Sequence, residues 1–283
     1  MTVAEAIREA VQRLAATSDT ARLDAELLMA HALGCSRSDV LLRHMQGDTP
    51  AAFAALVDRR ATREPVAYIL GTQEFYGLDL AVSPAVLIPR GDSEAIVRAA
   101  LAAGPDAKRA LDLGTGSGAL LLAVLSELPL AQGIGIDASA AALEIARRNA
   151  DSLGLTDRAV MQAGDWTQPG WADDLGLFDL VIANPPYVED DARLDPDVRD
   201  YEPSSALFSG PEGLDDYRII IPQLPGLLTE TGVAVLEIGA TQASEVTEIA
   251  REHGFTATAH RDLGGRDRAL ELRLTLGKGE SSS

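Results

Sequence analysis

A single cysteine, Cys35, leaves this chain of 283 residues without an internal disulfide, which suits a reducing compartment and makes the cytoplasm the expected location. The four histidines, His31, His44, His253 and His260, are scattered without metal-ligand spacing, so no metal site is expected. No apolar run approaches the roughly 18 residues that a membrane span requires. The N-terminus alternates charged and apolar residues, so neither a signal peptide nor a membrane anchor is expected. Aromatic residues make up only 4%, so the core must be aliphatic. Positive charge is also scarce: 24 Lys and Arg stand against 43 Asp and Glu, a net charge of −19. A field of that sign repels polyanions, which disfavours nucleic acid as the main substrate.

What is present reads as an α/β protein with a helical preface. Thr2 and Glu5 have capping-box spacing, and Val3, Ile7, Val11 and Leu14 follow at helical intervals. A second helix carries Leu23, Leu27, Ala30 and Leu33 and ends at Gly34. A short third helix is expected over Val40 to Leu42. Thr49-Pro50 predicts an N-cap and first helical proline ahead of Phe53, Leu56 and Val57. From Tyr68 onward Gly71 and Gly77 flank Phe75-Tyr76, and Leu78 to Val82 alternates with period two, which predicts a strand pair. These patterns place a helical domain at residues 1–70, a β-hairpin linker at 71–90, a catalytic domain at 91–276 and a flexible tail at 277–283.

Within the catalytic part, strands are expected at Ala110 to Leu113, Gly133 to Ile136, Val160 to Gln162, Leu180 to Ala183 and Val233 to Ile238. Each but the fourth is followed by a helical pattern, the mark of a doubly wound, mostly parallel sheet. After the fourth, an irregular stretch runs through Gly213, and loops of that length are usually functional. Thr256 to His260 and Ala269 to Leu274 close the sheet as an antiparallel hairpin.

The first of these strands runs into Gly114-Thr115-Gly116-Ser117-Gly118 and an apolar helix, so backbone N–H groups can approach a ligand at a helix N-terminus. The loop alone fits either a methyl donor or a dinucleotide. Asp137, ending the second strand, can accept both ribose hydroxyls or cap the next helix. After the third strand, Trp166 can stack on an adenine whose amino group reaches Asp165, or serve as packing.

The fourth strand ends in Asn184-Pro185-Pro186-Tyr187. An amide or exocyclic amine nitrogen is a poor nucleophile because its lone pair is delocalised. If the Asn184 side-chain oxygen and the Pro185 carbonyl each accept one N–H, that lone pair is aimed at an electrophilic methyl, while Tyr187 stacks on the planar group. Asn184, Pro185 and Tyr187 are thus the candidate catalytic residues, and Asn184, Pro185, Pro186 and Tyr187 the candidate substrate site. Alignment and fixed dipoles carry such a transfer without a prior proton abstraction.

Together with Pro65 to Gly71, Glu74 to Leu78, Val86 to Arg90, Asp112 to Gly118, Asp137, Asp165-Trp166, Tyr201 to Pro203, Glu237 to Gly239 and Asp267-Arg268, this tetrapeptide makes the chain resemble the HemK/PrmC protein-(glutamine-N5) methyltransferases. The resemblance implies a Rossmann-like class I methyltransferase domain and S-adenosyl-L-methionine as donor. The donor would be held by Gly114, Thr115, Gly116, Ser117, Gly118, Asp137, Asp165, Trp166 and Asn184. It implies as acceptor the glutamine of the Gly-Gly-Gln loop in class 1 peptide chain release factors, and a helical N-terminal domain that helps to grip that protein. Gly91 stands where the family usually has proline. Adenine-N6 methylation of nucleic acid is the alternative, since that amine offers the same two donors. A dinucleotide oxidoreductase leaves Asn184 to Tyr187 unexplained.

Overall fold

The computed structural model describes residues 1–275, so the tail expected at 277–283 lies outside the described residues. Two compact units divide the chain. The first contains residues 1–73, 82–84 and 194–202, and the second contains 74–81, 85–193 and 203 onward. The division is therefore not a single cut near residue 70: a short segment late in the chain belongs with the N-terminal helices.

In the first unit, α1 (Val3–Leu14), α2 (Ala21–Leu33), α3 (Arg37–Asp39), α4 (Phe53–Ala61) and α5 (Val66–Leu70) surround a core that includes Val3, Ile7, Leu14, Leu28, Met29 and Phe53. The capping box is formed, with the Thr2 N–H donating to Glu5 Oε2 at 2.8 Å and the Glu5 N–H to Thr2 Oγ1 at 3.3 Å. Gly34 closes α2 with φ 66°, a conformation that glycine reaches without strain. Two expectations change. The third helix starts at Arg37 and continues through a π-helical turn to His44. The fourth starts at Phe53, because the Thr49 hydroxyl donates to the Met1 carbonyl at 2.9 Å instead of capping it.

The late segment carries α9 (Pro196–Arg199) and is tied in by charge. Buried Arg60 donates to Asp24 at 2.6 Å and to Asp197 at 2.7 Å, and Arg63 reaches Asp197 at 3.3 Å. The Arg60–Asp24 pair is buried, whereas Asp197 is partly exposed, so its ion pairs tie the segment in more modestly.

The second unit is built on seven strands: β3 (Arg109–Leu113), β4 (Gln132–Asp137), β5 (Ala159–Ala163), β6 (Phe178–Ala183), β7 (Leu228–Glu237), β8 (Phe255–Arg261) and β9 (Asp267–Leu274). Their spatial order is β5-β4-β3-β6-β7-β9-β8. The first five run parallel and β9 is antiparallel to both β7 and β8, as the doubly wound pattern with a closing hairpin predicts. Strand β3 is buried from Ala110 to Leu113 because apolar cores lie on both sheet faces. One core includes residues of α6 (Glu94–Ala103), α7 (Ala119–Glu127) and α8 (Ala140–Ser152), the other residues of α10 (Asp215–Ile220) and α11 (Ala243–Glu252).

One expectation fails here. No helix follows β5, and residues 164–177 cross to β6 as a chain of turns in which Trp166, Trp171 and Leu175 pack into the second core. The helical pattern expected there does not form a helix; the two indoles and Leu175 cover the sheet instead. The small sheet of β1 (Thr72–Phe75) and β2 (Leu78–Ala81) gives Phe75 and Leu80 to the first core. Buried Asn149 fastens it by accepting the Ala81 N–H at 2.7 Å and donating to the Ala81 carbonyl at 3.0 Å.

Candidate active site

A cavity of about 400 Å³ opens at the carboxyl ends of the parallel strands. Concave sites of this size at that edge are where doubly wound sheets take small ligands. Its wall contains Gly114, Thr115, Gly116, Ser117, Asp137, Asp165, Trp166, Asn184 and Pro186. Gly118, Pro185 and Tyr187 adjoin lining residues but are not part of the wall.

The glycine loop takes its shape from positive φ at Gly114 (72°), Gly116 (54°) and Gly118 (83°), which any side chain would strain. A Cβ on Gly114 would also sit 3.1 Å from the Trp166 ring, and one on Gly118 would sit 3.0 Å from Leu122. Behind the loop the Thr115 hydroxyl donates to Asp112 Oδ2 at 2.6 Å, leaving buried Asp112 Oδ1 without a partner. Burial, aided by nearby Asp137, pushes the Asp112 carboxyl up to about 7. Asn149 donates to the Ser117 carbonyl at 2.8 Å and so joins the loop to the β1–β2 pair.

Asp137 accepts the Gly116 N–H at 2.9 Å and the Ser139 N–H at 2.8 Å. It does not cap α8: the Ser139 hydroxyl does, accepting the Ala142 N–H at 3.2 Å. A carboxylate has about four lone-pair directions, so two remain for hydroxyl donors. Asp165 accepts the Thr167 N–H at 2.9 Å and hydroxyl at 2.6 Å, bonds that hold its carboxyl below the usual range. The Trp166 indole donates to Asp216 at 2.9 Å, and Gln223 donates to the Trp166 carbonyl at 3.1 Å. Trp166 is thus both held in place and exposed to the cavity, which combines the packing and ligand readings.

At the end of β6, Asn184 faces the cavity and Pro185 and Pro186 are buried. Among the described residues no group hydrogen bonds to the Asn184 carboxamide, which is open to the cavity, or to the carbonyl of the adjoining Pro185. Tyr187, in contrast, is secured at three points. Its N–H donates to the Leu207 carbonyl at 3.2 Å, Gln242 donates to its carbonyl at 3.1 Å, and its hydroxyl donates to Glu237 at 3.1 Å. Burial beside Glu237 raises the Tyr187 hydroxyl far above its ordinary value, so it remains a donor. Glu237 is itself buried and pushed up to about 7, mainly by desolvation and against the pull of Ser93, Arg268 and Tyr187.

Sequence patterns singled out neither Asp216, Gln223 nor Gln242, each a polar residue on or beside a helix with no motif around it. Asp112, Glu237 and Arg268 were noticed only as parts of a resemblance. No signal in the sequence identified Gly135, where a Cβ would meet Thr115 Oγ1 and Met161 Sδ at 2.8 Å. Among the described residues no group of three or more His, Cys, Asp or Glu could hold a metal, and no helix is long and apolar enough to cross a membrane.

A cavity lined by a glycine loop, an acidic strand end and part of an Asn-Pro-Pro-Tyr turn, in a seven-stranded sheet of this order, defines a Rossmann-like class I methyltransferase. Comparison with known proteins agrees: residues 105–205 match a methyltransferase domain model and residues 5–71 the PrmC N-terminal domain. The hMettl16 catalytic domain, solved with a MAT2A 3′UTR hairpin, shares this fold with a TM-score of 0.57 at 17% identity over 77% of this chain and 82% of that one. The release factor glutamine methyltransferase of Moorella thermoacetica is 42% identical over 95% of this chain and 98% of its own length. The enzyme of that name from Geobacter sulfurreducens is 42% identical over 90% of each chain, and that from Rhodospirillum rubrum 44% identical over 89% of this chain and 78% of its own. The chain belongs to the release factor glutamine methyltransferase family.

Proposed function

We propose that this enzyme transfers a methyl group from S-adenosyl-L-methionine to the side-chain nitrogen N5 of the glutamine in the Gly-Gly-Gln motif of class 1 peptide chain release factors, and so supports translation termination in the cytoplasm. The observation that carries the acceptor chemistry is the unengaged Asn184 carboxamide, which lines the same cavity as the glycine loop and is followed by the equally unengaged Pro185 carbonyl.

The residues present fit the donor. Positive-φ glycines let the loop backbone close on a ligand, Asp137 has lone pairs left for two ribose hydroxyls, and Trp166 with Asp165 lines the place for an adenine. When bound, S-adenosyl-L-methionine supplies an electrophilic methyl, whose bonding pair returns to sulfur as the new carbon–nitrogen bond forms. The protein's part is orientation. Asn184 and Pro185 each accept one amide N–H, which turns the nitrogen lone pair toward the methyl and favours the positive charge that builds there. Tyr187 stacks on the planar amide, and Pro186 keeps the turn rigid. The amide proton leaves to solvent after transfer.

Residues 1–70 serve recognition of the release factor, residues 71–90 join them to the catalytic part, and residues 91–276 carry the chemistry. A net charge of −19 favours a protein acceptor over nucleic acid. The test is transfer of labelled methyl to a purified release factor, in parallel with its Gly-Gly-Ala variant and with adenine-containing DNA and RNA. Label confined to the unaltered factor is expected. Equal label in the variant overturns the glutamine assignment, and label in the nucleic acid alone establishes the adenine alternative.

A further inference from the structure

Behind the acceptor turn lies a cluster of charge that the transfer itself does not use. Glu237 ends β7 and Arg268 stands at the start of β9, both nearly closed to solvent at 2% and 8% exposure. Glu237 Oε1 accepts the Tyr187 hydroxyl at 3.1 Å, and its carbonyl accepts the Tyr217 hydroxyl at 2.7 Å. Arg268 donates to Asp92 at 3.3 Å, and Arg266 donates to the same carboxylate at 2.8 Å and to Asp262 at 2.9 Å. Three buried polar atoms, Glu237 Oε2, Ser93 Oγ and Arg268 Nε, lack any hydrogen-bond partner within bonding geometry. Ser93 also lines the cavity.

A buried carboxylate and guanidinium cost more to desolvate than an apolar pair of the same volume, and stability alone does not call for them. The cost falls here where a carboxyl oxygen holds the far end of the Tyr187 ring. We propose that Glu237 is a positioning residue for methyl transfer, holding the Tyr187 hydroxyl so that the ring keeps the acceptor amide at its reactive angle. This rests on the acceptor site proposed above. A charge-assisted hydrogen bond is roughly twice as strong as a neutral one, so protonation of Glu237 loosens the ring. With its carboxyl raised to about 7, facing Tyr187, Tyr217, Ser93, Arg268 and Asp92, that change falls in an accessible range.

The test is a double-mutant cycle of Glu237→Leu and Tyr187→Phe, with donor affinity and circular dichroism as checks on folding. Each single change is expected to lower kcat about tenfold, and the double no further, because both remove one contact. Glu237→Gln, which retains an acceptor oxygen, is expected to stay within about threefold of the parent. The parent kcat should rise several-fold as pH increases through about 7, and this step should be missing in both Glu237→Gln and Tyr187→Phe; it decides the matter where Glu237→Leu does not fold. Additive losses, or the same pH step in Tyr187→Phe, would overturn the proposal. The Tyr187 ring-carbon resonance, followed by NMR across that pH range, reads the same coupling without any acceptor. A titration there in a protein that leaves release factors unmethylated would contradict the acceptor assignment and not the coupling; its absence would overturn the coupling.

Discussion

The donor half and the acceptor half of the cavity are held in opposite ways. Thr115 bonds to Asp112 three residues away, and Gly116 to Asp137 twenty-one residues away, so the donor loop is fastened by its own strand and the next. Tyr187 depends on Glu237 and Gln242, 50 and 55 residues distant, which fold onto it from β7 and the turn before α11. The glycine loop is thus mostly a local construction, while Trp166 on the same cavity wall is held from farther away by Asp216 and Gln223. The Tyr187 side of the cavity is assembled from across the unit.

The sharpest way to separate the two halves is Asn184→Ala. Removing a pre-placed polar contact to the reacting group costs about 10²–10³ in kcat, while donor affinity, measured by calorimetry, is expected to change by less than tenfold. A comparable loss in both would make the halves one unit. Gly118→Ala attacks the other side. At φ 83° and with Leu122 only 3.0 Å from the new Cβ, the strain is about 1–2 kcal/mol. The expected result is a donor dissociation constant roughly tenfold weaker, with kcat at saturating donor little changed.

The smallest expected effect concerns Asp112 and Glu237, one buried acid in each half, raised from 3.8 and 4.5 to about 7. The unfolded chain releases these protons at lower pH than the folded one. Each acid therefore contributes stability that is complete below about pH 4 and is lost as pH rises to about 7. Urea denaturation of Asp112→Asn and Glu237→Gln across that range should show a flatter decline than the parent. An unchanged slope would mean that the folded-state values are ordinary.

The same contrast explains what the sequence made legible. Periodicity located α1, α2, five parallel strands and the closing hairpin, because each pattern is short-range and its burial follows directly. The loop from Gly114 to Gly118 and the turn from Asn184 to Tyr187 could be read because backbone freedom at glycine and rigidity at proline are properties of the residues themselves. The crossover after β5 was misread as helical, since packing of Trp166, Trp171 and Leu175 on the sheet overrides the local pattern. Nor was the grip of Gln242 and Asp216 on Tyr187 and Trp166, which exists only once distant segments meet. Thr49 was misread for the same reason: a partner 48 residues away, the Met1 carbonyl, takes the hydroxyl that a local cap would have used.

The account stands or falls on where the methyl group goes. Tandem mass spectrometry of a release factor incubated with this enzyme and S-adenosyl-L-methionine should find the added methyl on the side-chain nitrogen of the Gly-Gly-Gln glutamine, and almost none there with Asn184→Ala. A methyl on any other residue, or undiminished methylation by the variant, would contradict it.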